Sequence, residues 1–104
     1  MRAILINSKE RTIREVQVSD KNFLEDCYKH IGCSLIEVAT TISESTLWVD
    51  EEGYCKKVES TFMIVGCPQP FAGNGLFVGY DAEKDENKDT DLTIADVIDI
   101  VRWM

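Results

Sequence analysis

Through most of this chain the apolar residues come in runs of strand length, ended every few residues by polar or glycine-bearing turns. Such punctuation builds sheets and leaves little room for long helices. Ala3 to Ile6 and Thr12 to Val18 flank the polar turn Asn7 to Arg11 and read as a hairpin. Leu35 to Ile42 and Thr46 to Asp50 read as a third and a fourth strand. Glu51-Glu52-Gly53 is a turn, and Tyr54 to Val58 continues on its far side. Thr61 to Val65 is apolar almost without interruption, which predicts a central strand, and Leu76 to Tyr80 is the last strand.

Two segments break this pattern. After Ser19 or Asp20 as a cap, Phe23, Leu24, Cys27, Tyr28 and Ile31 share one face at helical spacing, and Gly32 closes the helix. Thr93 to Met104 reads as a final helix, preceded by a charged, flexible segment from Asp81 to Asp91. The order β-β-α, then strands, then α predicts an α+β fold. It is a mainly antiparallel sheet with two helices packed on one face or end. At 104 residues the chain is expected to form a single domain, 1–104, with no linker dividing it.

The formal net charge is −8. A phosphate backbone rewards Lys and Arg, so the balance argues against nucleic acid and against anionic membrane surfaces. It suits solubility, basic protein surfaces or cations. No stretch approaches the roughly 20 apolar residues of a membrane span. No secretory signal is read at the N-terminus, so the expected location is cytoplasmic. Cysteines stand at 27, 33, 55 and 67 with no C-x-x-C pair, and reduced thiols without metal are expected. His30 between Cys27 and Cys33 is the only alternative ligand group of that kind.

Several stretches resemble one known family: Ala3-Ile4-Leu5-Ile6, Ile31-Gly32-Cys33, Leu47 to Gly53, and above all Phe62 to Gly79. Within the last, Pro68-Gln69-Pro70, Ala72-Gly73 and Gly75-Leu76 are the most specific. Over residues 1–80 the chain resembles domain of unknown function 3846, small proteins common in phages, plasmids and integrative elements. The resemblance implies a bacterial or phage cytosolic setting and brings no catalytic residues with it.

Two segments are candidate sites. In the loop from Gly66 to Gly75, Pro68 and Pro70 stiffen the backbone, Gly73 and Gly75 allow close approach, and Gln69 and Asn74 offer free amides. The bland alternative is a tight crossover between buried strands. The second segment, 85–96, follows the spacing of a twelve-residue calcium loop. Oxygen side chains recur at Asp85, Asn87, Asp89, Asp91 and Asp96, with Leu92 at the apolar position. It resembles one calcium loop of a dockerin, with Asp85, Asn87, Asp89 and Asp96 matching side-chain ligands and Thr90 where glycine is usual. The same residues also read as a capped helix start, Thr93 with Asp96, after a solvated acidic loop.

No catalytic constellation stands out. Asp50-Glu51-Glu52 falls in a turn, and His30 lies near Cys33 without a nucleophile motif. The first expectation is a non-enzymatic accessory protein of a phage or other mobile element, acting by binding a host or element-encoded protein. Exposed sheet edges also leave room for self-association. The alternative is a small-ligand, nucleotide-like binder using residues 66–75. No cofactor is expected beyond weakly held calcium.

Overall fold

All four inner residues of the first strand, Arg2–Asn7, are buried. Successive side chains of a strand point to opposite faces, so Ala3 and Leu5 fill one core and Ile4 and Ile6 another. A strand buried on both faces needs a layer above and a layer below it.

The computed structural model, which describes residues 1–104, supplies both layers. Its elements are β1 (Arg2–Asn7), β2 (Thr12–Gln17), α1 (Phe23–Ile31), β3 (Ile36–Ile42), β4 (Ser45–Asp50), β5 (Thr61–Ile64), β6 (Phe71–Ala72), β7 (Asn74–Asp81), β8 (Glu86–Lys88), α2 (Ile94–Ile100) and β9 (Val101–Trp103). The main sheet is antiparallel in the order β2-β1-β7-β4-β3, and β8 pairs with the far end of β7. On one face α1 sets Cys27 and Ile31 against Ala3, Leu5, Leu76 and Val78. On the other, a small sheet β6-β5-β9 and α2 bring Phe62, Ile64, Val97 and Val101 onto Ile4, Ile6, Leu47 and Phe77.

The α+β class and the antiparallel sheet are as read from the sequence, but the helices take opposite faces. One face cannot serve both, because β1 and β7 are apolar on each side and each side must be covered. Gly75 is placed by the same layering: a Cβ there would lie 2.7 Å from Cζ of Phe62. That ring could not then reach the sheet.

Other local differences have identifiable causes. The N-cap of α1 is Asn22, because Ser19 is tied down by its N–H donating to Asp26 Oδ2 (2.7 Å). Leu24 has the right angular position but is 52% exposed, since α1 is buried only through its later turns, at Cys27 and Ile31. Gly32 ends the helix in the left-handed region, as expected. Tyr54 to Val58 forms no strand; it is a turn and an irregular stretch, held where Lys56 reaches back to Asp50 (2.8 Å). Thr61–Ile64 is indeed a central strand, but of the small sheet.

The final helix stops at Ile100 rather than running to Met104. Beyond it β5 offers an open edge, and Val101, Arg102 and Trp103 pair with Ile64, Met63 and Phe62. β-branched Val101 and aromatic Trp103 suit a strand, and the ladder overrides helical continuation. Thr93 and Asp96 do form the capping box read at its start. The segment 81–91, expected to be a flexible loop, contains β8, which folds back on β7 through a turn with Asp85 at φ 52°. No helix is long and apolar enough to cross a membrane.

Candidate functional site

The loop residues singled out in the sequence are divided by the fold. Pro68 and Gln69 are exposed, and the carbonyl of Pro70 accepts the Tyr54 hydroxyl (2.6 Å). Gly73, at φ 80°, turns the chain into β7. Asn74 then points its amide at the end of α1, donating to the His30 carbonyl (3.4 Å), while Gly75 is buried beneath Phe62. Only Gly73 and Asn74 line a cavity, of about 230 Å³, shared with Lys9, Lys56, Lys57 and Ser60. Two of those lysines are already paired, Lys56 with Asp50 and Lys9 with Glu59 (3.6 Å).

The residues spaced like a calcium loop are likewise sent to different duties. Asp85 accepts the Tyr80 hydroxyl. Asn87 stands opposite Tyr80 in the β7–β8 ladder. Asp89 accepts the Arg2 N–H (2.8 Å), Asp91 is exposed, and Asp96 caps α2. Nowhere does the chain bring three or more His, Cys, Asp or Glu side chains into a group able to hold a metal ion. His30 directs Nε2 to the Gln17 carbonyl (3.1 Å), not to a thiol. Burial pushes the Cys27 thiol up to about 12, with the nearby Asp26 charge adding to it. Burial and Asp50 also raise Cys33. A thiol held protonated is a poor nucleophile.

A different region is concave and chemically distinctive. A helix about 10 Å across covers roughly two strands at a spacing of about 4.8 Å. α1 lies over β1 and β7 with Trp48 of β4 packed at its margin, so the same face of the edge strand β3 is left open. Val38, opposite Trp48 in the β3–β4 ladder, is 53% exposed there. The resulting groove has a volume of about 620 Å³, within the usual range for organic ligands of about 300–1,000 Å³.

Its walls are apolar and its rim is acidic. Phe23 from α1 meets Trp48 from β4 edge to face, with ring centroids 5.9 Å apart at 70°. Val38 and Tyr80 extend this surface, and Thr41 and Thr46 lie between. Asp20 borders the α1 side, while Asp85, Glu86 and Asn87 border the β7–β8 side. No lysine or arginine lines it. The hydrogen bond to Asp85 raises the Tyr80 pKa above its ordinary value, so the phenol stays protonated and holds the carboxylate in place. Nε1 of Trp48 is buried without a hydrogen-bond partner, a donor whose desolvation the fold leaves uncompensated.

The sequence alone places Phe23 on the buried face of α1, Asp85 in the calcium-loop spacing and Glu86 in the charged segment 81–91. Val38 and Trp48 stand opposite each other in the β3–β4 ladder, and Tyr80 shares their face further along β7. That alignment needed the register to be seen.

The family model described as "Domain of unknown function (DUF3846)" matches residues 1–102, and the chain belongs to that family. No curated protein and no solved structure matches it.

Proposed function

We propose that this chain is a non-enzymatic accessory protein of a phage or other mobile element. It acts in the cytoplasm by binding a host or element-encoded protein, and the groove over β3 and β4 is its capture surface. The observation that carries this reading is the concave margin where α1 stops short of the edge strand β3. Val38, Trp48 and Phe23 form one concave apolar surface beside a helix too narrow to cover it. A concave surface with aromatic walls and a few polar groups is a common form of binding site.

Site-specific photo-crosslinking tests it. A benzophenone amino acid replaces Val38 in cells carrying the element, and Lys57, outside the groove, serves as the control position. A discrete protein adduct from position 38 and none from position 57 is expected. The same adducts from both positions, or none from either, would overturn the assignment.

A second reading, a small-ligand and nucleotide-like binder, draws on the cavity where Gly73 and Asn74 meet Lys9, Lys56 and Lys57. Under that reading a nucleotide raises the melting temperature of the wild type and not of Lys57→Ala. Under the first reading it raises neither.

A further inference from the structure

Resting on the reading of the groove as a protein-capture surface, we infer that its occupant is an arginine-bearing segment of the partner. The first argument is charge. Asp20, just before α1, and the pair Asp85 and Glu86, after β7, are distant in sequence and line the same groove, with no cation among the lining residues. All three carboxylates are exposed, and an occupant without positive charge gains nothing from them. A cation on the occupant meets carboxylates supplied by two stretches of the chain.

The second argument is the apolar surface that shares the groove with the acids. A bare metal ion has no use for an aromatic wall, and the acids are not gathered into a group that could coordinate one. Phe23, Trp48 and Val38 offer a surface for methylene groups and a flat cation. Arginine fits that combination better than lysine. Its guanidinium is planar, weakly hydrated, stacks on aromatic rings and forms paired hydrogen bonds to a carboxylate. Tyr80 engages Oδ1 of Asp85, and no hydrogen bond within the chain uses Oδ2. The carboxylate is thus oriented in advance with an acceptor to spare, which lowers the ordering cost of binding.

The third argument sets a peptide against a free polyamine. The groove continues onto β3, whose outer edge has no partner strand, and Val38 and Thr41 of that strand line it. A segment with apolar neighbours around its arginine covers Val38 as well; a polyamine answers only the acids.

The test is NMR titration of the full chain labelled with nitrogen-15. The probe is a short peptide carrying two arginines around a valine. The comparisons are the same peptide with citrulline for arginine, which keeps the shape and removes the charge, and spermidine. Arginine-peptide shifts are expected to centre on the Trp48 indole and the amides of Thr46, Tyr80 and Asn87. Affinity should be about tenfold or more above that of the citrulline peptide, and the double variant D85N/E86Q should lose it. Because that variant changes the β7–β8 turn, D20N provides an independent arm outside that turn and should weaken binding too. Equal binding of arginine and citrulline peptides in the groove would overturn the inference and leave the capture surface standing. Spermidine binding there as tightly as the arginine peptide would also overturn it, in favour of a small cation. Shifts scattered over the acidic surface, insensitive to both variants, would reduce the effect to diffuse attraction and overturn it as well. Failure of the capture surface itself is read separately, from absence of a crosslink at position 38.

Discussion

The hydroxyl of Thr90 lies 2.6 Å from that of Ser45, and both side chains are buried. Thr90 Oγ1 also accepts the Leu92 N–H (3.1 Å), and the Thr90 N–H donates to the Arg2 carbonyl (3.0 Å). A residue in the middle of an acidic segment is thereby fastened to β4 and β1. Replacing it by valine keeps the shape but leaves Ser45 and the Leu92 amide without their partner. Thr90→Val should cost about 1–3 kcal/mol in urea denaturation. The double variant with Ser45→Ala should cost clearly less than the sum of the two single losses, because the second change removes a group already orphaned. Strict additivity would mean that the two hydroxyls do not interact.

This bond also shows how far the sequence could be read in that region. Spacing alone sees Asp85, Asn87, Asp89, Asp91 and Asp96 as alternating oxygens. It cannot see that Thr90 is pulled inward, or that Gly79 lacks a Cβ because the Asp89 carbonyl lies against it. Strands were legible where burial is one-sided or complete, as in β1, β4 and β7. The α2–β9 switch was not, because it depends on an edge of β5 some forty residues away in the chain. The loop candidates were legible as polar residues, Gln69 between two prolines and Asn74 between two glycines. Their separation follows from β7 beginning at Asn74, a matter of register. The groove was the least legible part, since it results from the width of α1 relative to the sheet.

Calcium provides a direct check on that dispersal. With Asp96 capping α2 and Asp89 bound to the Arg2 amide, residues 85–96 do not converge as a coordinating loop must. Calorimetric titration with calcium should give the same feeble heats for the wild type and Asp85→Ala, with magnesium indistinguishable. A saturable calcium signal abolished by Asp85→Ala would show that the segment rearranges into a binding loop.

Cys27 predicts how stability responds to alkali. In the unfolded chain its thiol ionises near 9.0, whereas burial raises it in the fold to about 12. Between those values the unfolded state sheds a proton that the folded state keeps. Stability is therefore unaffected by this group below about pH 9 and falls as pH rises towards 12, by up to about 1.4 kcal/mol per pH unit. Denaturation curves from pH 8 upward should show a shallower decline for Cys27→Ala than for the wild type. Thiol labelling at neutral pH should modify exposed Cys55 quickly and leave Cys27 untouched while the protein is folded. Parallel pH profiles would place the Cys27 thiol in contact with solvent.

Arg2 tests whether the acidic segment is held as one unit with the sheet. Its guanidinium donates from one nitrogen to the carbonyls of Thr90 (2.8 Å) and Leu92 (2.7 Å), and from Nε to Glu15 across the β1–β2 pair. The Glu15 contact is partly exposed and screened by water, so it contributes little alone. The two carbonyls differ, because they lie where the chain leaves β8 for α2 and have few other donors in reach. Arg2→Met preserves the apolar stem and removes every one of these donors. It should cost about 1–3 kcal/mol. More tellingly, it should speed hydrogen exchange in residues 86–92 while leaving the β4–β7 ladder protected, since local opening follows the contacts that are lost. Arg2→Lys should restore protection only in part, because one ammonium cannot reach two carbonyls and Glu15 with the geometry of a guanidinium. Exchange that accelerates uniformly across the sheet would make Arg2 a general contributor to stability. Exchange that changes nowhere would mean that the Thr90 amide and hydroxyl hold the segment by themselves.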